Sequence, residues 1–348
     1  LKYLDLFSGY GGFSLGIQKA YEILDNQSKV DGLQAKENST SDNSYALQRT
    51  PTCIGFSEID KYAIQIYKKH FGERYECKNC GKQKPIGEGN VGENLQHRGN
   101  CTCSLCDRTQ PETQQGHRLC EWIYHKGHKN YGDITKINPA ELPDFDLLCG
   151  GFPCQAFSIA GKRMGFEDTR GTLIYDVFRI IKEKHPKLVL LENVKGLLSH
   201  DNGRTFKTII TSLAELGYAV EWQVLNAKNF GVPQNRERVF IIGHLGGFSG
   251  RQIFPIGEND KISNGENKSD EGRTQAFYSA PCRGSNMKAD HTFIAEPKIR
   301  RLTPTECERL MGLPDGWTEG VSDTQRYKLC GNGVVVNVVE EIIKNLNL

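Results

Sequence analysis

The chain has 348 residues, 37% of them hydrophobic and 25% charged, with a formal net charge of +2 at pH 7. That is enough chain to bury one large core, or a large and a small one; the balance excludes a disordered chain, and no apolar run approaches the ~20 residues that span a bilayer. So small a net charge does not by itself point to a polyanionic partner, because charge must be clustered to matter.

Residues 2–7 predict a strand, 8–12 a glycine-rich turn and 13–24 a helix with apolar residues at helical spacing, the opening unit of an α/β sheet. A strand so near the first residue leaves no room for an export leader, so a cytoplasmic chain is expected. Its twelve cysteines then stay reduced as metal ligands, a nucleophile or buried apolar residues. The polar stretch 26–51 is expected to be a flexible surface insertion ahead of a strand at 52–56. A helix at 61–71 leads into a Cys/His-rich block ending at residue 128. A strand at 145–149, an amphipathic helix at 172–185 stopped by Pro186, and a buried parallel-type strand at 188–191 follow. Next come a helix at 203–216 closed by Gly217, then strands at 219–225 and 238–243. Periodicity fades from residue 244 to about 298. It returns in helices at 303–311, where Thr303 can cap and Pro304 takes the first helical position, and at 335–346.

Six segments carry chemistry. In Asp5-Leu-Phe7-Ser-Gly9-Tyr-Gly11-Gly12 the glycines sit where strand becomes helix, so a ligand can approach bare backbone near a helix N-terminus; a tight turn without ligand is the plainer alternative. Glu58 ends the next strand, followed by Ile59, where a carboxylate can accept from both hydroxyls of a ribose or face solvent. The wide separation from the glycine loop does not fit a dinucleotide site. Asp133, before Ile134, suits an adenine amino group or a helix cap. Cys154, in Gly-Gly-Phe-Pro153-Cys154-Gln155-Ala-Phe-Ser158, lies in a loop after an apolar strand, at the sheet edge where α/β folds place ligands; Cys149, inside the strand, fits the buried apolar role better. Glu192, after four apolar residues and before Asn193, would be kept protonated if buried and could then donate to a ring nitrogen; a solvated strand end is the alternative. Arg236 and Arg238 share one face of a strand and could hold a carbonyl and a phosphate, or mark a solvated strand start.

In this order, with Arg301-Leu-Thr-Pro-Thr-Glu-Cys-Glu-Arg-Leu-Met-Gly and Gly331-Asn332-Gly333-Val334-Val335 at the end, the motifs resemble those of the DNA cytosine-C5 methyltransferases over nearly the whole chain. The resemblance implies an α/β fold, a Rossmann-like S-adenosyl-L-methionine-dependent methyltransferase sheet, with a small target-recognition region. It implies that Phe7 stacks on the cofactor's adenine, that Gly9, Gly11, Gly12 and Ile59 border the cofactor, that Glu58 binds its ribose and that Asp133 and Ile134 meet the adenine. Asn332 and Val334 would close that pocket. Many members carry serine where Gly333 stands. Cys154, Glu192, Arg236 and Arg238 would line the cytosine pocket, with Pro153, Gln155, Ser158 and Asn193 beside the substrate.

The chemistry suits these residue types, because cytosine C5 becomes nucleophilic only after a thiolate adds at C6, and the target base must first leave the duplex stack. The expected organisation is a catalytic and cofactor-binding domain at 1–243, a recognition region at 244–300 and a C-terminal segment at 301–348 whose last helix returns to the first domain. Between residues 244 and 299 seven Lys or Arg balance seven Asp or Glu, so DNA reading rests on single groups such as Arg273 and Arg283.

Cys77, Cys80, Cys103 and Cys106 form two C-x2-C knuckles near zinc-ribbon spacing, which predicts one structural Zn2+ in the Cys/His-rich insertion 72–129. His97, Cys101, His117, Cys120, His125 and His128 are spare ligands, and reduced cysteines without metal are the alternative. The insertion is not typical of the family. Duplex DNA is the expected partner, a cognate restriction endonuclease a companion in the cell, and a monomer the expected state. Two further readings stay open: an RNA cytosine-C5 methyltransferase, and a non-catalytic zinc-containing DNA-binding protein on the same fold. A nucleotide-dependent oxidoreductase lacks its pyrophosphate site.

Overall fold

A computed structural model describes residues 1–36, 50–77, 83–85, 122–153, 173–247, 252–256 and 301–346. Its centre is a six-stranded sheet of β1 (Lys2–Leu6), β2 (Thr52–Ser57), β6 (Leu147–Gly151), β7 (Leu188–Val194), β8 (Tyr218–Asn226) and β9 (Glu237–Leu245), ordered β2-β1-β6-β7-β9-β8. The first four strands run parallel, and β9 pairs antiparallel with both β7 and β8. The strand expected at 188–191 therefore has a parallel neighbour on one side only, and the sheet is mixed.

Successive strand residues point to opposite faces, and both faces are covered. Tyr3, Leu147, Cys149, Leu190, Phe240 and Ile242 pack with α1 (Gly12–Lys36), α2 (Lys61–Phe71) and α7 (Val336–Asn345). Leu4, Leu6, Leu148, Val189, Leu191, Val239 and Ile241 pack with α3 (Leu173–Lys184) and α4 (Arg204–Glu215). Two further helices, α5 (Pro304–Leu310) and α6 (Asp323–Asn332), precede α7. Thr303 caps α5 in a reciprocal capping box with Glu306, as its position before Pro304 predicts. Gly217, past α4, is left-handed at φ 89°. The helix α6 had no clear periodic signal.

Two elements depart from the sequence reading. Helix α1 continues to Lys36, so residues 26–36 extend a helix rather than begin the flexible insertion expected from residue 26. Gln, Lys, Leu and Ala propagate a helix that packing has already nucleated, and polarity alone does not end one. Within the Cys/His-rich block, β3 (Arg74–Cys77), β4 (Gln83–Pro85) and β5 (Trp122–His125) form a small antiparallel sheet ordered β4-β3-β5. No helix among the described residues is long and apolar enough to cross a membrane.

Candidate active site

The four parallel strands deliver their carboxyl ends to one edge, where an α/β sheet opens its crevice. A cavity of about 590 Å³ lies there. It is lined by the turn after β1, Glu58 and Ile59 after β2, Asp133 and Ile134, Pro153 after β6, Glu192 on β7, Arg238 on β9, Asn332 at the end of α6 and Val334 between α6 and α7. Residues from both halves of the chain therefore face one hollow.

At one end the glycine loop turns tightly. Phe7, Gly9 and Gly11 have φ of 54°, 54° and 88°, a region that costs a side chain least at glycine and that Phe7 occupies under strain. Glu58 ties the loop to β2: its Oε2 accepts from Gly9 N at 2.9 Å and its Oε1 from Ile59 N at 2.8 Å and Asp60 N at 2.9 Å. Oε2 keeps accepting capacity for a hydroxyl. Ile59 is 72% exposed at the cavity, an apolar side chain without cover. Asp133 caps the 3-10 turn Ile134–Lys136 through Thr135 N at 3.0 Å and Thr135 Oγ1 at 2.8 Å, and these hydrogen bonds hold its carboxyl below the usual range. The capping role is thus present, and the residue lines the cavity as well.

At the other end Glu192 is 9% exposed. Its Oε1 lies 3.1 Å from Arg238 Nε. Burial pushes the carboxyl up to about 7, outweighing the two guanidiniums of Arg238 and Arg236, which favour its ionised form. The antiparallel entry of β9 makes the contact, because it sets Arg238 opposite Val194, two residues past Glu192 on the same face. Asn193 is buried and donates from Nδ2 to Phe152 O at 2.9 Å, while its Oδ1 accepts from Val194 N at 2.8 Å. The chain leading to residue 154 is anchored on β7 in this way. A Cβ on Gly151 would stand 3.0 Å from Glu192 Oε2, so glycine there gives the carboxyl room.

One expected residue stands elsewhere, and others are not among those described. Arg236, expected beside a base, does not line the cavity: its Nη2 donates to Gly331 O at 2.9 Å and Gly333 O at 2.7 Å. Cys154, Gln155, Ser158, Arg273 and Arg283 lie outside the described residues, as do Cys80, Cys103 and Cys106; of Cys77 only the backbone, at the end of β3, is described. Among the described residues no group of three or more His, Cys, Asp or Glu can hold a metal ion. His128, a spare ligand on sequence grounds, stacks on Phe71 and meets Tyr67 Oη at 3.1 Å; burial, with the Arg74 charge, pushes it down to about 4. His125 pairs with Glu76 at 3.2 Å. Tyr10 and Gly333 also line the cavity; sequence reading gave Tyr10 no role and left Gly333 only a backbone one, and the hydrogen bond from Tyr10 Oη to Val334 O, 324 residues apart, is beyond the reach of any local pattern.

The family described as C-5 cytosine-specific DNA methylase matches this chain over residues 118–271 and 250–347. The chain is 40% identical to the Type II methyltransferase M1.ScrFI of Lactococcus lactis subsp. cremoris, over 99% of this chain and 77% of that one. It is 40% identical to M.NgoBI of Neisseria gonorrhoeae, over 100% and 93%, and 30% identical to M.HhaI of Haemophilus parahaemolyticus, over 99% and 94%. Among solved structures, a putative DNA modification methyltransferase encoded within an E. coli prophage shares the fold with TM-score 0.53 at 18% identity, covering 99% of this chain and 98% of that one. The S. pombe Dnmt2 methyltransferase does so with TM-score 0.52 at 16% identity, covering 100% of both.

Proposed function

Because the chain belongs to the C-5 cytosine-specific DNA methylase family, we propose that it methylates C5 of a cytosine flipped out of duplex DNA, with Cys154 as the nucleophile. The observation that carries this reading is the buried Glu192 carboxyl, which shares a cavity with Pro153, the residue before Cys154, and with the glycine loop. S-adenosyl-L-methionine supplies an electrophilic methyl group when bound. The residues present fit it: the uncovered Ile59 offers an apolar face to an adenine, Phe7 and Asp133 stand at the same end, and Glu58 Oε2 can accept from a ribose hydroxyl.

On the base side, Cys154 thiolate adds to C6 and the ring electrons move toward N3. The Glu192 proton meets N3 and the carboxyl also accepts from the exocyclic amino group, so C5 becomes nucleophilic. After methylation the N3 proton returns to Glu192, a base removes the C5 proton, the C5–C6 double bond re-forms and Cys154 leaves with its electron pair. Arg238 fixes the Glu192 carboxyl and would donate to a base carbonyl; Asn193 holds the backbone leading to residue 154. Pro153, Gln155 and Ser158 would border the substrate.

The region 244–300, with Arg273 and Arg283, is proposed to read the DNA sequence, and Cys77, Cys80, Cys103 and Cys106 to bind one structural zinc ion. The names of the relatives, all Type II methyltransferases, support a modification role beside a cognate restriction endonuclease. A cytoplasmic monomer fits that role. Incubation with labelled S-adenosyl-L-methionine and either duplex DNA or transfer RNA tests the function. Label is expected in DNA alone, and Cys154→Ser is expected to abolish transfer while retaining cofactor binding. Transfer by Cys154→Ser would overturn the assignment.

A further inference from the structure

Gly333 adopts φ −78° and ψ 170°, extended backbone open to any residue, so its conformation gives no reason for glycine. Space gives one. A Cβ at residue 333 would lie 2.0 Å from Tyr10 Cε1, 2.4 Å from Cζ and 2.7 Å from Oη. The Tyr10 ring is 1% exposed and cannot swing aside. Its hydroxyl donates to Val334 O at 2.5 Å, and its own carbonyl accepts from Trp317 Nε1 at 3.0 Å. The same ring and Val334 crowd Gly12, whose added Cβ would meet Val334 Cγ1 at 2.8 Å and Tyr10 Cε2 at 3.0 Å. From the opposite side Arg236 Nη2 binds the carbonyls of Gly331 and Gly333. The strap at 331–334 is thus gripped between Arg236, just before β9, and the glycine loop, and its residues line the cavity.

We infer that Tyr10 is a positioning residue that sets the C-terminal wall of the cofactor cavity, filling the space over Gly333 and binding the Val334 carbonyl, so that Tyr10 and Gly333 work only as a large and small pair. The inference rests on the reading of that cavity as the S-adenosyl-L-methionine site. Leucine at residue 10 keeps apolar bulk near the backbone and lacks the Cε1, Cζ and Oη atoms that meet the added carbon, which makes it the matched relief.

The test measures the dissociation constant of labelled S-adenosyl-L-methionine by equilibrium dialysis, and kcat at saturating cofactor, for the parent, Gly333→Ala, Tyr10→Leu and the double variant. Gly333→Ala is expected to weaken binding by roughly tenfold or more while kcat at saturation changes little. In the Tyr10→Leu background the same change is expected to cost less than about twofold, so the comparison stands even if Gly333→Ala alone folds poorly. Parent-like binding by Gly333→Ala, or an equal loss in both backgrounds, overturns the pairing; so does a lowered melting midpoint with an unchanged dissociation constant. A parent that binds no S-adenosyl-L-methionine takes down the functional reading with it, whereas a binding parent without the pattern sinks the pairing alone.

Discussion

Glu192 stands between opposing effects, burial disfavouring its charge and the neighbouring guanidiniums favouring it, and burial wins by enough to move the carboxyl from its ordinary 4.5 to about 7. A carboxylic acid that keeps its proton near neutrality can donate to a ring nitrogen. The proton is lost as pH rises through about 7, so single-turnover methyl transfer is expected to fall along that limb. Glu192→Gln removes the limb and slows transfer by roughly 100-fold or more; an unchanged pH profile in that variant would refute the role. Asp5 is a second such group: it is fully buried, its Oδ1 has no hydrogen-bond partner among the described residues, and burial moves it from 3.8 to about 7 against the bond from Ser14 Oγ. For both, the folded chain holds a proton that the unfolded chain has released. Their contribution to stability is therefore complete below about pH 4 and is lost as pH rises to about 7. Urea midpoints are expected to fall across that window, with a shallower decline in Asp5→Asn. The sequence made Glu192 legible through the apolar run before it. Burial of Asp5 was not legible, since an acid in a strand of five residues points to either face with equal right.

Single elements were readable where one local rule decided them. Thr303 before Pro304 could only cap, and the spacing at 61–71 recovers α2. Joints between elements were not readable. Glu308 on α5 is wholly buried and accepts from Gly316 N and Thr318 N, each at 2.8 Å, from Thr318 Oγ1, and from Arg326 Nη2 on α6 at 2.9 Å. Removing one partner of such a group strands the other in low dielectric, so Glu308→Ala is expected to cost about 3–5 kcal/mol in urea unfolding. A loss below about 1 kcal/mol would show that the joint does not hold α5 to α6. On the α2 side, Lys328 of α6 reaches Asp60 at 2.9 Å, where Asp60 both caps α2 and lines the cavity. The helices that carry the strap at 331–334 are thereby pinned to the cofactor end as well as to each other.

At the scale of the molecule, the small sheet β4-β3-β5 shows that the Cys/His-rich block has strand structure of its own, with Cys77 closing β3. With Cys77, Cys80, Cys103 and Cys106 as the proposed ligands, protein purified without added zinc is expected to carry about one zinc per chain by elemental analysis, and less than about half an equivalent would sink the proposal. Taken alone, the sequence determined the alternation of apolar strands and helices, the glycine turn after β1 and the carboxylates at strand ends, because each follows from side-chain periodicity or backbone sterics within a dozen residues. Tertiary structure alone decided that β9 enters antiparallel and brings Arg238 to Glu192, that Arg236 turns away to the C-terminal strap, and that Tyr10 closes on Gly333. Periodicity says which face of an element is apolar; which elements share that buried face, and in what register, is set by packing between segments as much as 324 residues apart.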